Sequence, residues 1–302
     1  MGKKSKHGPP PITTLLISLS HSLSHSLFLS LQATPTKMGT STTLLILLLS
    51  TMCAIFSVVV GGDWNILASQ KQWKKRNIDG VGISLKNYCE SWRMNVELNN
   101  IRDFDVVPGE CVDYIGKYMT STQYKVDSER ALEECTLFLS TSFELTGDGK
   151  DAWIFDIDDT LLSTAPYYKQ HNFGGELLNR TELEGWMKRG KAPGLAHTLR
   201  LYNDIKSRGL KIFLISSRGE HLRDATIKNL VKEKIYGWTS LFLMGADDST
   251  KGVQNYKIEQ RRRLIQNGYR IWGIVGDQWS SLLGLPNAKR TFKLPNSLYY
   301  DS

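Results

Sequence analysis

Short apolar runs alternate with longer segments of helical spacing over the second half of the chain. The runs are AWIFDI (152–157), LKIFLIS (210–216), SLFLMG (240–245) and RIWGIVGD (270–277). The segments 193–209, 220–237 and 253–269 lie between them and repeat apolar residues at the spacing of a helix. Strands that alternate with helices predict βαβ units and a parallel sheet with helices on both faces. We therefore predict an α/β fold.

The stretch between the first strand and the next helix is too long for an ordinary connection. Residues 163–190 contain a Gly-Gly pair and four aromatic residues, which predicts a small helical cap over the same edge of the sheet. An ordinary surface excursion is the alternative. Before the first strand, 126–145 has helical spacing, whereas 63–125 is predicted to form an irregular wrap with short helices. The predicted core therefore spans 126–302.

The N-terminal region consists of two unusual consecutive segments. Residues 1–37 include a Ser/Leu/His low-complexity run without the pattern of a packed domain, and we interpret them as an upstream extension. Residues 38–62 contain an uncharged apolar stretch followed by small residues, which is typical of a secretory signal peptide. A signal anchor is the alternative, because the stretch is about long enough to span a bilayer. The mature chain is predicted to have no membrane span and to be secreted or vacuolar.

Cysteine usage agrees with export. Cys53 would leave with the signal peptide, while Cys89 and Cys111 flank a polar segment and could form a disulfide. Cys135 lies in the predicted helix and is expected to be a buried thiol. Asn179 begins a single glycosylation acceptor, Asn-Arg-Thr.

The formal charge of +8 gives weak support for nucleic-acid binding. Four lysines and no acidic residues lie in 1–62, which leaves +4 for the rest of the chain, with basic and acidic residues interleaved. A nucleic-acid site would favour a clustered basic stripe. We therefore expect small anionic partners, and the oligomeric state, including a homodimer, stays open.

Polar side chains follow the strands at their carboxyl ends, where parallel sheets bind ligands. They are Asp156, Asp158, Asp159 and Thr160 after the first strand, Ser216 after the second and Asp277 after the fourth, with Lys257 near the start of the third helix. Helix capping explains any one of these acids but explains the whole set poorly. Carboxylates packed together repel unless a cation shares them, so the set predicts a hard divalent metal, for which Mg²⁺ is best suited.

Two other acidic or phosphate-binding motifs do not fit. A calcium loop would need an acidic or amide ligand and a glycine where Thr160 and Leu161 stand. A phosphate loop of the G-x-x-x-x-G-K-[ST] type is absent from the sequence.

The motif set resembles the haloacid dehalogenase-like superfamily of phosphohydrolases. The resemblance is carried by D-x-D-x-T at Asp156, Asp158 and Thr160, by Ser216, by Lys257 and by Gly276-Asp277. More narrowly, IFLISSRGEHLRDATIKNL, NYKIEQRRRLIQNGYRIWGIVGDQWSSLLG, RTFKLPNSLYY and YCESWRMNVELNN resemble the plant acid phosphatases and vegetative storage proteins. The likeness covers most of residues 85–300. It implies a Rossmann-like core with a cap and hydrolysis of phosphate monoesters.

The resemblance also implies residue roles. Asp156 would be the nucleophile that forms an aspartyl-phosphate, and Asp158 the general acid and base. Thr160 and Ser216 would bind phosphate oxygens. Lys257 would neutralise charge, although Lys251 at the same loop competes for that role on sequence alone. Mg²⁺ would be held by Asp156, by the backbone carbonyl of Asp158 and by Asp277, whereas Asp159 is not expected to react.

One position departs from the family pattern. The fourth motif usually reads G-D-Q-W-S-D, and here Ser281 replaces the final acid. Losing a negative charge beside the metal predicts weaker Mg²⁺ binding and a slower phosphatase. The alternative function is a storage protein with weak or no phosphatase activity.

Overall fold

The computed structural model describes residues 77–78, 81–248 and 250–301 of the chain. The predicted extension (1–37) and signal peptide (38–62) lie outside the described residues. Within those ranges, none of the helices has both the length and the apolar character needed to cross a membrane.

Helices and strands alternate through most of the described chain. The strands are β1 (Asn77–Ile78), β2 (Val81–Gly82), β3 (Asp151–Phe155), β4 (Lys211–Gly219), β5 (Ser240–Met244), β6 (Arg270–Gly276) and β7 (Arg290–Lys293). The α-helices are α1 (Leu85–Glu97), α2 (Val112–Met119), α3 (Thr122–Thr141), α4 (Ala165–Gln170), α5 (Arg180–Lys188), α6 (Ala196–Ser207), α7 (Arg223–Lys232), α8 (Val253–Gln266) and α9 (Trp279–Leu282).

Five strands form a parallel sheet in the order β5-β4-β3-β6-β7. The chain builds outward from β3 through β4 to β5, and then continues on the other side of β3 with β6 and β7. The order therefore reverses next to β3, and ligands of such sheets bind at the carboxyl ends of the strands at this point. The predicted α/β fold is confirmed, with β7 as a fifth strand that was not predicted.

The central strand β3 is buried on both faces. Trp153 stacks on Phe292 of β7 with ring centroids 5.8 Å apart. Ile154, which points to the opposite face, packs in a cluster with Tyr256 and Leu264 of α8. Burial on both faces explains why this strand has a continuous apolar run without alternation.

At the carboxyl edge of the sheet, β3 ends at the predicted residue, whereas β4 is longer than predicted. β3 ends at Phe155, because the chain turns tightly there and the backbone N–H groups of Leu161 and Leu162 donate to the Ile157 carbonyl at 2.8 and 2.9 Å. β4 continues three residues beyond Ser216, to Gly219. Arg218, which lies beyond the predicted run 210–216, is therefore part of the strand.

The segment after β3 holds α4 and α5, which form the helical cap. On the N-terminal side, a disulfide joins Cys89 of α1 to Cys111, just before α2. Cys135 in α3 is a buried free thiol. This cross-link closes a loop between residues 89 and 111 and stabilises the fold by lowering the conformational entropy of the unfolded chain.

We predict that His197 makes the protein less stable in acid. The ring is buried on α6, 6.2 Å from the Tyr124 ring, and its Nε2 atom has no hydrogen-bond partner among the described residues. Burial lowers the pKa of His197 to about 4. Because the folded state then binds fewer protons than the unfolded state, stability is lost as the pH falls from 6.5 towards 4.

The test is His197→Phe, with the free energy of unfolding measured by urea denaturation between pH 4 and 7.5. His197 accounts for a loss of at most about 3 kcal/mol in the free energy of unfolding as the pH falls, so the variant should lose less stability in acid than the wild type. Parallel pH curves for the two proteins would contradict the prediction.

Candidate active site

The Asp156 carboxylate and the Lys257 ammonium form a buried ion pair at the carboxyl end of β3. Lys257 on α8 lies with its Nζ atom 2.6 Å from Asp156 Oδ2, and both side chains are almost fully buried. Burial alone would lower the pKa of Lys257, but the neighbouring carboxylates outweigh it and raise that pKa. The rival Lys251 is partly exposed and pairs with Asp248 and Glu259 instead.

Ser281 completes this pair. Its hydroxyl lies 2.6 Å from Asp156 Oδ2 and accepts from Lys257 Nζ at 2.8 Å. The approach requires Gly276, because a Cβ atom there would lie 2.7 Å from the Cβ of Ser281. At the position where the family pattern has an acid, this chain therefore has a hydroxyl that forms a hydrogen bond with the predicted nucleophile.

The Asp158 carboxylate is held by Arg218. The guanidinium donates from Nε at 2.9 Å and from Nη2 at 2.6 Å, a bidentate arrangement, and its third nitrogen donates to Thr226 at 3.1 Å. Arg218 is 3% exposed, so the pair is shielded from water. Such two-point contacts fix the plane of a carboxylate, and the geometry makes Arg218 the residue that orients Asp158.

Among the described residues, only neutral groups donate hydrogen bonds to Asp159. The Thr164 backbone N–H lies 2.9 Å away, and the Thr164 and Tyr299 hydroxyls also donate to its carboxylate. Burial is the main reason that the pKa of Asp159 rises to about 6, and these hydrogen bonds oppose the rise. Its backbone has a φ of 45°, which turns the side chain away from the direction of its neighbours.

Asp277 lies at the end of β6 among amide and hydroxyl groups. Its carboxylate accepts from Thr160 at 3.1 Å and from Asn296 at 2.8 Å. Burial, together with the negative charges of Asp156 and Asp159, raises the pKa of Asp277 to about 7. Among the described residues its hydrogen-bond partners are all neutral, and the positive charge of Lys293 opposes the rise in its pKa only in part.

The two predicted substrate contacts are buried. Thr160 donates to Asp277, and the Ser216 hydroxyl accepts from the backbone N–H of Arg218 at 3.2 Å. The neighbouring Ser217 lines an adjacent cavity of about 880 Å³, together with Asp158, Arg218 and residues of the cap.

The donor set fits a divalent cation. Asp156 and Asp277 lie close enough for their charges to interact, and a cation between them would relieve the repulsion. The Asp158 side chain is committed to Arg218, which leaves its backbone carbonyl as the available ligand. Within the described ranges no three His, Cys, Asp or Glu side chains group as metal ligands. Mg²⁺ tolerates this, because it takes one or two carboxylates and keeps several waters.

Comparison with known proteins identifies the family. Residues 74–302 match the family model of the HAD superfamily, subfamily IIIB (Acid phosphatase). The chain belongs to this acid phosphatase family. Membership confirms the resemblance drawn from the motif set and the prediction of a phosphatase of the hydrolase class.

Curated plant relatives carry two kinds of name. Acid phosphatase 1 of Solanum lycopersicum is 42% identical over 212 residues, covering 70% of this chain and 83% of the relative. The Stem 28 kDa glycoprotein of Glycine max is also 42% identical, with 70% and 83% coverage. Vegetative storage protein 1 of Arabidopsis thaliana is 38% identical, and the match covers 74% of this chain and 82% of that relative.

Solved structures support the fold. A class C acid phosphatase from Bacillus anthracis with tungstate bound superposes with a TM-score of 0.52 at 19% identity, covering 63% of this chain and 85% of that one. At this identity the likeness concerns the fold alone. Both kinds of comparison thus place the acid phosphatase chain on a shared α/β framework.

Arg218 is the part of the site that sequence reasoning left out. In the sequence it stands two residues after Ser216, but no motif there indicates which carboxylate it would pair with. We predict that Arg218→Lys lowers kcat for p-nitrophenyl phosphate about tenfold or more, because lysine keeps the charge and loses the two-point contact that orients Asp158.

The matched control is Arg262→Lys on the exposed side of α8, which should keep the wild-type kcat. A smaller effect on KM than on kcat would distinguish orientation of Asp158 from a role in substrate affinity. Wild-type kcat in Arg218→Lys would contradict the assignment.

Proposed function

We propose that the protein hydrolyses phosphate monoesters with Asp156 as nucleophile and Asp158 as general acid and base. The observation that carries the proposal is the pairing of each carboxylate with its own buried cation, Lys257 and Arg218, at the switch point of the sheet. Phosphoryl transfer depends mainly on positioning and charge stabilisation, and these pairs supply both.

The reaction proceeds in two steps. In the first, an Asp156 oxygen attacks phosphorus, the bond from phosphorus to the ester oxygen breaks, and Asp158, which begins the cycle as the protonated acid, gives the leaving alcohol its proton and becomes the carboxylate. In the second, Asp158 takes a proton from water, whose oxygen attacks phosphorus and releases Asp156 and inorganic phosphate. Lys257 lies on the attacked side and offsets the charge of nucleophile and phosphoryl group.

Binding of the phosphoryl group involves the remaining predicted residues. Thr160 and Ser216 are proposed to donate to its oxygens. Asp156, Asp277 and the Asp158 backbone carbonyl would hold Mg²⁺, which supplies charge neutralisation for the phosphoryl oxygens when bound. The proposed substrates are small phosphorylated molecules rather than nucleic acids.

Asp156→Asn tests the enzymatic role. The variant should lose about a thousandfold or more in kcat towards p-nitrophenyl phosphate at acidic pH and saturating Mg²⁺, since an amide cannot form the acyl phosphate. It should also unfold at a lower temperature, because Lys257 stays buried without its counter-charge. Asp224→Asn, an exposed acid on α7, is the matched control and should retain both properties.

A storage protein with weak or no activity is the alternative. It is favoured by relatives named vegetative storage proteins and by Ser281 in place of an acid. The enzymatic proposal would be contradicted, and the storage function would remain, if the wild type showed no turnover at saturating Mg²⁺ or if Asp156→Asn showed equal turnover.

Ser281→Asp tests the metal site. The added carboxylate would lie beside Asp156 and Lys257, so we expect the Mg²⁺ concentration for half-maximal activity to fall several-fold. The same variant should have a lower melting temperature than the wild type in EDTA, because a further negative charge is then uncompensated. Mg²⁺ should raise its melting temperature more than that of the wild type.

Ser280→Asp is unsuitable as a control because it is also buried, whereas Thr250→Asp adds the same charge at an exposed position. The proposed role of this position would be contradicted if Ser281→Asp and the wild type responded equally to Mg²⁺, both in activity and in melting temperature.

We propose that the protein is exported, on the basis of its disulfide and its glycosylation acceptor. A disulfide between Cys89 and Cys111 favours an oxidising compartment. Asn179 is exposed at the start of α5, where a glycan could attach, and three relatives are named glycoproteins. We therefore propose secretion or vacuolar delivery through a signal peptide at 38–62.

A further inference from the structure

The segment after β7 runs along the active-site edge and is fixed on both sides. Leu294 donates to the Gly276 carbonyl at 2.9 Å, and Asn296 donates to Asp277. Tyr299 stacks on Tyr168 of the cap with ring centroids 5.1 Å apart. These contacts join the segment to the end of β6 and to the cap, and they direct the next residues into the site.

Asp301 is placed among the groups that should receive substrate. Its backbone N–H donates to Gln278 Oε1 at 3.2 Å. Its side chain lines the same cavity as Ser217 and Arg180, and the charges of Lys257 and Asp156 are close enough to act on it. The Lys257 ammonium pairs with Asp156 at 2.6 Å and also lies within electrostatic range of the Asp301 carboxylate.

The cavity surface shows what a substrate would meet first. Asp301, Ser217 and Asp158 line it, whereas Asp156 and Lys257 do not and are 5% and 2% exposed. A phosphate ester that enters the cavity therefore approaches the Asp301 carboxylate before it can reach the nucleophile.

A carboxylate and a phosphoryl group compete for the same kinds of donor. Both are anions that accept from an ammonium and from hydroxyl groups, and two anions in the same few ångströms repel each other. We propose that Asp301 is a built-in competitor for the phosphoryl site, and that its displacement sets the affinity of the protein for anionic substrates and for inorganic phosphate. The inference rests on the proposed function for the identity of the substrate, but not for the binding of phosphate.

The test compares Asp301→Asn, Asp301→Glu and Asp105→Asn with the wild type at saturating Mg²⁺. The asparagine keeps the shape and removes the charge, the glutamate keeps the charge, and Asp105 is an exposed acid that does not line the cavity. KM and kcat are measured with p-nitrophenyl phosphate, and the Kd of inorganic phosphate is measured by calorimetry, with melting temperatures to establish folding.

We expect KM and the phosphate Kd to fall about five- to tenfold in Asp301→Asn, from the loss of like-charge repulsion, with kcat nearly unchanged. Asp301→Glu and Asp105→Asn should stay near the wild type. Unchanged KM and Kd in Asp301→Asn would overturn the proposal, as would an equal decrease in the glutamate or Asp105 variants.

The calorimetric arm separates this inference from the proposed function. Absence of turnover in every protein, with tighter phosphate binding in Asp301→Asn alone, would reject the hydrolase while supporting the competitor. Turnover in the wild type with equal phosphate binding in all four proteins would support the hydrolase and reject the competitor.

Discussion

A buried carboxylate is stable only beside donors that compensate for lost hydration, and the chain after β3 buries three of them within four residues. Each is compensated differently. Asp156 has the Lys257 ammonium, Asp158 has the Arg218 guanidinium, and Asp159 has hydroxyl and backbone donors. Because the two cations come from α8 and β4, the three carboxylates can be buried only when these elements are in place around β3.

This dependence links the site to the order of the strands. β4 and β6 flank β3, so residues at their carboxyl ends meet those of β3 whatever their distance in sequence. Arg218 reaches Asp158 across 60 positions, and Ser281 reaches Asp156 across 125. A parallel sheet therefore brings the charged groups together, and the ion pairs in turn stabilise the packing of α8 and β4 against β3.

The apolar core strands could be predicted because burial on both faces leaves continuous apolar runs. β7 was missed because its four residues, RTFK, contain a single apolar side chain and pair only with β6. At the site, the carboxyl ends of the strands indicated Asp156, Asp158, Asp277 and Lys257 together. Their individual partners could not be predicted in this way, because whether Lys257 or Lys251 reaches Asp156 depends on where α8 begins and which of its faces packs on the sheet.

Asp159, which is not expected to react, still contributes to the structure of the site. Its hydrogen bonds reach Thr164, where the cap begins, and Tyr299, which precedes the competitor Asp301. A cation in place of these neutral donors would stabilise the charge better, but it would lie beside Asp277 and compete with a divalent metal for the local negative charge. Neutral donors leave the negative charge available to a metal, and the pKa of Asp159 is raised as a consequence. The same donors hold the cap and the Leu294–Asp301 segment against the turn that contains Asp159.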